Sequence, residues 1–425
     1  MSIANRTISI LDEMLSLNLP VIVLLSVFLL IALRGVLSVR ITIWQAMVGG
    51  AVVVLLSGDI TPYAAWAAID WEVMVFLFGM FVVGQALVQS GFLYQLAYGL
   101  FSRTRSTDAL VLMLLFGAGL GSALLMNDTL AIIGTPLVLR LAHEHKLDAR
   151  LLLLALAFAV TTGSVLSPIG NPQNLLIATQ ISLASPFVTF LEHLALPTLI
   201  NLVMIYLLLR VMFRHEFHTT PLVHTPVTLI DPLLARWVKL SLVIIVLLIM
   251  LRMLLVNTGG MSEFRLSYIA LAGAAPLLLF SARRGELVRR LDWQTLAFFL
   301  GLFVLMAAVW ESGFFQRGLV DYAIDITAPV PLLLIPVALS QLISNVPLVA
   351  LYLPLLGQAG AGVPDFMVLA AASTIAGNLL ILGAASNVII VQSAERHGSQ
   401  LGFFTFARIG IPLTLLQLWV YWLFL

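Results

Sequence analysis

The chain contains no cysteine, which excludes disulfides, iron–sulfur clusters and thiolate metal sites and removes any cue to redox compartment. Charge is almost as scarce. Only 10% of the 425 residues are Asp, Glu, Lys or Arg, against 61% hydrophobic, and the mean hydropathy is +1.09. That balance excludes an ordinary soluble globular domain. A formal net charge of +1 offers no basic field, so nucleic acid is not an expected partner. Paired catalytic aspartates, a His-Glu-x-x-His helix and a nucleophile with a base partner are also missing, which argues against an intramembrane enzyme. No cleavable leader is evident: the polar start from Met1 to Ser16 leads into an apolar segment followed by Arg34, so the first helix is expected to insert and stay.

What is present is apolar sequence in span-sized pieces. At about 20 residues per crossing, the runs predict an all-α polytopic membrane protein with crossings near 18–38, 41–57, 72–90, 150–180, 187–212, 238–257, 266–282, 293–311, 366–392 and 403–424. Two further apolar stretches, 109–141 and 329–357, are too long for one helix and are interrupted at Asn127-Asp128 and at Ser344-Asn345-Val346-Pro347. These read as re-entrant hairpins.

The same message is written twice. Residues 70–92 align without a gap to 292–314 at an offset of 222, and 10 of the 23 positions are identical, from Asp70-Trp71 and Asp292-Trp293 to Ser90-Gly91-Phe92 and Ser312-Gly313-Phe314. Asn127 and Pro136 then match Asn345 and Pro354 at 218, and Gly170 and Asn174 match Gly383 and Asn387 at 213. The chain therefore divides into a first repeat over 18–214, a linker over 215–236 and a second repeat over 237–425. Of 21 basic residues, 17 fall on one side of the predicted crossings, among them Arg34, Arg40, Arg103, Arg140, Arg210, Arg283, Arg290, Arg396 and Arg408. The positive-inside rule makes that side cytoplasmic, with both termini outside a cell (inner) membrane. Arg6, Arg265 and Arg317 stay outside, and Arg252 is expected to snorkel to that surface. An odd number of crossings per copy, about five plus a hairpin and a broken helix, makes the repeats inverted. His215, His218 and His224 have no metal-ligand spacing and belong to the linker.

The least lipid-compatible residues are the shared ones. Irregular backbone at membrane depth survives only where it lines a protein cavity, and polar breaks in matching segments of two halves mark a transporter's binding site. The predicted substrate and ion site therefore comprises Asn127, Asp128, Thr129, Ser164, Gly170, Asn171, Gln173 and Asn174 from the first copy, with Ser344, Asn345, Asn378, Gly383, Ser386 and Asn387 from the second. Asp128 has no counterpart, Val346 standing at its equivalent position, and is the expected proton carrier or cation ligand. Glu192-His193 is placed toward the outer interface. No lysine or arginine falls at the predicted centre, and no metal site or cofactor is expected.

At these residues the chain resembles the ion transporter superfamily, in particular its arsenite-permease and sodium/proton-antiporter-like branch, which is related to the divalent anion/sodium symporters. The resemblance rests on Asn127-Asp128-Thr129 with Thr135-Pro136-Leu137-Val138, on Ser164 to Asn174, on Ser344-Asn345-Val346-Pro347 and on Gly383 to Asn387. It implies scaffold and transport domains with an elevator motion, a possible homodimer, and cation sites at Asn127 with Gly170 to Asn174 and at Asn345 with Asn387. Both hairpin tips depart from the Ser-Asn-Thr tip of the dicarboxylate carriers. The expected function is export of arsenite or antimonite by proton antiport, with H+ or Na+ as coupling ion. The alternatives are a sodium/proton antiporter or a cation-coupled symporter of a small, dicarboxylate-like anion, and less favoured a passive channel. Expected partners are membrane lipid and a small inorganic solute or anion; the sequence leaves a soluble ATPase subunit open.

Overall fold

The computed structural model describes residues 19–33, 42–101, 104–181, 183, 185–217, 230–257, 265–314 and 325–425, and among them there is no strand. A backbone surrounded by lipid has to satisfy its own N–H and C=O groups, and for a single segment the helix is the way to do so. In chain order the first copy forms α1 (Leu19–Leu33), α2 (Ile43–Leu56), α3 (Pro62–Ala68), α4 (Trp71–Ser90), α5 (Phe92–Phe101), α6 (Thr107–Leu125), α7 (Asn127–His145), α8 (Ala149–Ser164), α9 (Pro172–Gln180) and α10 (Pro186–Met212). The second forms α11 (Pro232–Asn257), α12 (Leu266–Phe280), α13 (Arg284–Arg289), α14 (Trp293–Glu311), α15 (Pro329–Ile343), α16 (Asn345–Gln358), α17 (Val363–Ile375), two 3-10 turns (Ala376–Asn378 and Ile381–Gly383), α18 (Ala385–Arg396) and α19 (Phe403–Phe424). The second run repeats the first element by element, down to the short α3 and α13. The exception is α5, whose counterpart falls on 315–323, outside the described residues.

Among the described residues six helices, α4, α6, α10, α11, α14 and α19, are long and apolar enough to cross a membrane; α1, α2, α8, α12, α15 and α16 are shorter apolar helices. The all-helical, multi-pass expectation stands, with refinements. The stretch 150–180 is a broken helix, which stops at Ser164 and restarts at Pro172, and 366–392 is likewise divided by the 3-10 turns. The first hairpin turns at Met126, one residue before the predicted Asn127-Asp128 break. Arg6, Arg34, Arg40, Arg103, Arg317, His218, His224 and positions 218–229 of the linker lie outside the described residues.

Two compact units emerge, and each gathers elements from both copies: residues 1–71 with 292–326, and residues 72–291 with 327–425. Within the first, α14 lies along α2 with Gly301 at the contact, where a Cβ would sit 2.9 Å from the Val48 nitrogen. Within the second, α4 lies against α12 at Gly79, where a Cβ would sit 2.7 Å from the Ala270 carbonyl. Gly79 and Gly301 share a repeat position, as do Val48 and Ala270. Each unit thus uses one glycine to bring a helix of one copy onto the second helix of the other, the close backbone approach that small residues permit where lipid provides no hydrophobic drive.

The core of the larger unit is α8. From Leu151 to Val160 no residue is more than 1% exposed, as befits a helix that is apolar all round. It is enclosed by apolar side chains of α6, α7, α10, α18 and α19. At its C-terminal end it almost touches α6, since a Cβ on Gly163 would lie 2.2 Å from the Gly119 carbonyl oxygen.

Candidate functional site

The site consists of two hairpin tips and two helix breaks, all within the larger unit. The tips share an unusual backbone. Met126 (φ 66°, ψ 140°) and Ser344 (φ 70°, ψ 161°) occupy equivalent positions and carry conformations that side chains rarely adopt. Such strain costs on the order of 1–3 kcal/mol and persists only where surrounding structure enforces it. Asn127 and Asn345 follow as the first residues of α7 and α16.

The first break starts where Ser167 precedes a proline, which disfavours helix at that residue. It ends where Asn171 caps α9 with Pro172 at the first helical position. Between them the polar groups use one another. The Asn171 side-chain oxygen accepts from the Asn174 amide at 2.8 Å, and its Nδ2 donates to Ser164 Oγ at 3.0 Å and Thr374 Oγ1 at 3.2 Å. Asn174 Nδ2 donates to the carbonyls of Ser164 and Ser167, both at 3.1 Å, and its Oδ1 accepts from Thr374 Oγ1 at 3.4 Å. Gln173 Nε2 donates to the same threonine at 3.3 Å. The hairpin tip is tied in: Asn127 N donates to the Gly170 carbonyl at 2.9 Å, and Asn127 Oδ1 accepts from the Asp128 amide at 2.9 Å. Gly170 is required sterically, because a Cβ there would lie 2.2 Å from the Ser164 carbonyl oxygen.

The second break is built from two 3-10 turns and holds itself less completely. Asn387 Nδ2 donates to the Gly377 carbonyl at 2.5 Å, Gln341 Nε2 to the Ala376 carbonyl at 2.8 Å, and Asn378 Nδ2 to Thr162 Oγ1 at 3.0 Å and Gln417 Oε1 at 2.9 Å. The counterpart of the Asn127–Gly170 bond, from Asn345 N to Gly383 O, is not present among the described residues. Around the second tip and break, buried oxygens without a hydrogen-bond partner among the described residues are Oδ1 of Asn345, Asn378 and Asn387, Oε1 of Gln341, Ser386 Oγ and Thr161 Oγ1. Apart from Gln341, none of those residues is more than 6% exposed. Buried polar groups are nearly always paired, so these open oxygens point to an occupant that supplies the missing donor or positive charge.

The copies also exchange residues. Thr374 of the second copy sits in the first break, while Thr161, its equivalent at the 213 offset, lies against Gly377 in the second. The helix after each break packs on the opposite hairpin's outgoing helix, α9 on α16 and α18 on α7. Asp128 and Thr129 are half-buried in the first turn of α7, and Thr129 faces Gly84 of α4.

Sequence reasoning passed over Thr161, Thr162, Thr374, Gln341 and Gln417. The two threonines stand at the offset already set by Gly170 and Gly383, and Gln417 interrupts an apolar helix. Arg252 departs from expectation: it does not snorkel but is buried, 9% exposed, and feels the charge of Glu72, whose carboxylate also caps α12 by accepting from the Leu266 amide at 3.0 Å. Arg252 is the one arginine among the described buried residues, there is no buried lysine, and it lies in α11, away from both breaks. Glu192 is exposed, and His193 Nδ1 meets the Thr189 carbonyl at 2.9 Å, in neither break. No metal-holding cluster of His, Asp and Glu occurs among the described residues.

Duplicated hairpins facing duplicated helix breaks inside an apolar helical body define a membrane transporter. The chain belongs to the citrate transporter family, whose model matches residues 27–365. It is 28% identical over 397 residues to the 46 kDa membrane protein of Mycobacterium leprae, covering 88% of this chain and 90% of that one. It is also 28% identical over 439 residues to the silicon efflux transporter of Oryza sativa subsp. japonica, covering 86% and 88%. In fold it is similar to the YdaH transporter of Alcanivorax borkumensis, with a TM-score of 0.58 at 16% identity over 88% of this chain and 86% of that one.

Proposed function

We propose that this protein is a secondary active transporter that exports a small neutral hydroxide, arsenite or antimonite, in exchange for protons. The observation that carries the reading is the chemistry of the two breaks: amides, hydroxyls and carbonyls, with no cationic side chain in either. Arsenite and antimonite are uncharged hydroxides near neutral pH, and such a lining pairs with their O–H groups without having to neutralise a charge. Silicon dissolved in water is also a neutral hydroxide, so the rice relative's named substrate falls within the same recognition chemistry. Free citrate, a polyanion, would be desolvated at great cost in a lining without positive charge.

On this reading Asp128 carries the exchanged proton. Its carboxyl is half-buried at the tip of a strained hairpin, beside the first break. The open oxygens of the second tip and break favour a second reading, a sodium ion held there as coupling ion, because carbonyl and hydroxyl oxygens suit a hard cation. The repeats over 18–214 and 237–425, joined by the linker over 215–236, are inverted, with both termini outside. We read the two compact units as the scaffold and transport bodies of an elevator carrier, and expect a homodimer.

The test is arsenite flux in proteoliposomes with an imposed pH gradient, for the intact protein and Asp128→Asn. The expected result is gradient-driven flux reduced at least 100-fold in the variant. Absence of arsenite flux in the intact protein would remove the substrate, and equal flux in the variant would remove Asp128 from proton transfer.

A further inference from the structure

A buried polar seam runs between α10 and α19, and neither hairpin nor break accounts for it. Thr414, Gln417 and Tyr421 recur at spacings of three and four along α19, so they form one stripe. Gln417 joins the second break: its Oε1 accepts from Asn378 and its Nε2 donates to Thr162 Oγ1 at 2.9 Å. One turn further, the Tyr421 hydroxyl meets Thr198 Oγ1 of α10 at 2.8 Å. Asn201, a turn from Thr198, is a second polar neighbour of the same hydroxyl. Thr198, Asn201, Thr414, Gln417 and Tyr421 are each 0% exposed, within two of the helices apolar enough to span a bilayer.

Polar residues between membrane helices commonly act as glue, and then they pair with each other. Here the pairing is incomplete. Asn201 Oδ1, Thr414 Oγ1 and, at the break, Asn378 Oδ1 have no partner among the described residues. Leaving such groups dry costs several kcal/mol, whereas one water bonded to two to four of them removes the cost. The stripe also has a useful length. From Gln417, where it meets the break, to Tyr421 it rises about 6 Å, roughly two-fifths of half the ~30 Å hydrocarbon core, and Thr414 lies one turn on the other side of Gln417. It reaches from the break toward the C-terminal end of α19, the outer end by the distribution of basic residues.

We propose that the α10–α19 seam holds a file of ordered water that conducts protons between the outer surface and the second break. A proton given up by outer water enters the file, each water or hydroxyl in turn accepts one proton and releases another, and the break receives one with the file unchanged. The proposal rests on the proton-coupled reading for its use but not for the water.

Two measurements test it. X-ray radiolytic labelling of the purified full-length protein reports water held next to buried side chains. Tyr421 is expected to be oxidised at least tenfold faster than Phe158 and Phe406, which are equally buried in the apolar core. Asn201→Leu and the nearly isosteric Thr414→Val should each lower that rate at least fivefold. Tyr421 labelling no faster than the two phenylalanines, or unchanged in both variants, overturns the file. Conduction is tested in proteoliposomes by comparing arsenite flux driven by a pH gradient with arsenite exchange at equal pH. Asn201→Leu should cut the first at least tenfold and the second less than twofold. Equal loss of both, or loss of neither, overturns conduction. Arsenite flux in the intact protein that ignores the gradient would overturn the proposed function instead, and the labelling would still decide the water.

Discussion

The two helix breaks descend from one sequence, yet they are finished differently. In the first, Asn174 binds two carbonyls and receives a threonine hydroxyl, and the hairpin tip is fastened to Gly170. In the second, the equivalent Asn387 makes a single bond, to Gly377, and its oxygen is open, as are those of Asn345, Asn378, Ser386 and Thr161. A duplicated motif can therefore divide its labour, with one copy spending its polar groups on holding a shape and the other keeping them available.

Gly170→Ala attacks the closed break most directly. The added methyl has to occupy a place 2.2 Å from the Ser164 carbonyl oxygen, backbone that cannot yield without undoing the caps around it. We expect a loss of more than about 3 kcal/mol, read as a collapse of the unfolding midpoint in detergent. Gly313→Ala is the control for backbone strain alone: its φ is +69° but no atom of the described residues lies within 4 Å of the added Cβ, so its loss should be about 1 kcal/mol. Equal losses would mean that crowding at Gly170 is not what shapes the break.

The equivalent threonines sharpen the comparison. Thr374→Val removes a hydroxyl that Asn171, Gln173 and Asn174 all use, and should cost about 2–3 kcal/mol, since buried partners are left unpaired. Thr161→Val removes a hydroxyl with no partner. It should change stability by less than about 0.5 kcal/mol or raise it, while slowing solute flux in proteoliposomes at least fivefold. Thr161→Val costing as much as Thr374→Val would show that the second break is as closed as the first.

Much of this arrangement is legible in the sequence, and the limits have physical causes. The duplication, the hairpins and the broken helices follow from glycine, proline and asparagine at constant offsets in apolar surroundings, because those residues have few other uses at membrane depth. Which residue of the first tip takes the positive φ is not written locally: Met126 bears no turn signal of its own, and its conformation goes with the neighbouring Asn127–Gly170 bond. The asymmetry of the breaks could not be read at all. Asn174 and Asn387 are the same residue at the same repeat position, and only the neighbours brought in from distant helices decide whether their oxygens are paired. Arg252 misled for a related reason, since its burial beside Glu72 depends on how α4 meets α11.

The smallest predicted effect lies outside the breaks, at the entrance to α8, and it sets a baseline for them. Asp148 caps α8 by accepting from the Arg150 amide at 2.9 Å, and the Arg150 guanidinium grips the same carboxylate at 2.6–3.0 Å. Burial pushes the Asp148 carboxyl up, but its hydrogen bonds with Arg150 and the guanidinium charge outweigh it and hold the group below its ordinary value of 3.8. A depressed carboxylate stabilises the fold fully above that ordinary value, and the contribution disappears as pH falls through the lower, folded-state value. Asp148→Ala should therefore cost about 1 kcal/mol at neutral pH, and the difference from the intact protein should shrink only below about pH 4. Unfolding midpoints of both proteins from pH 7 to pH 3 test this. A difference that vanishes already near pH 6 would mean that another group sets the titration, and that the cap is not what holds the start of this buried helix.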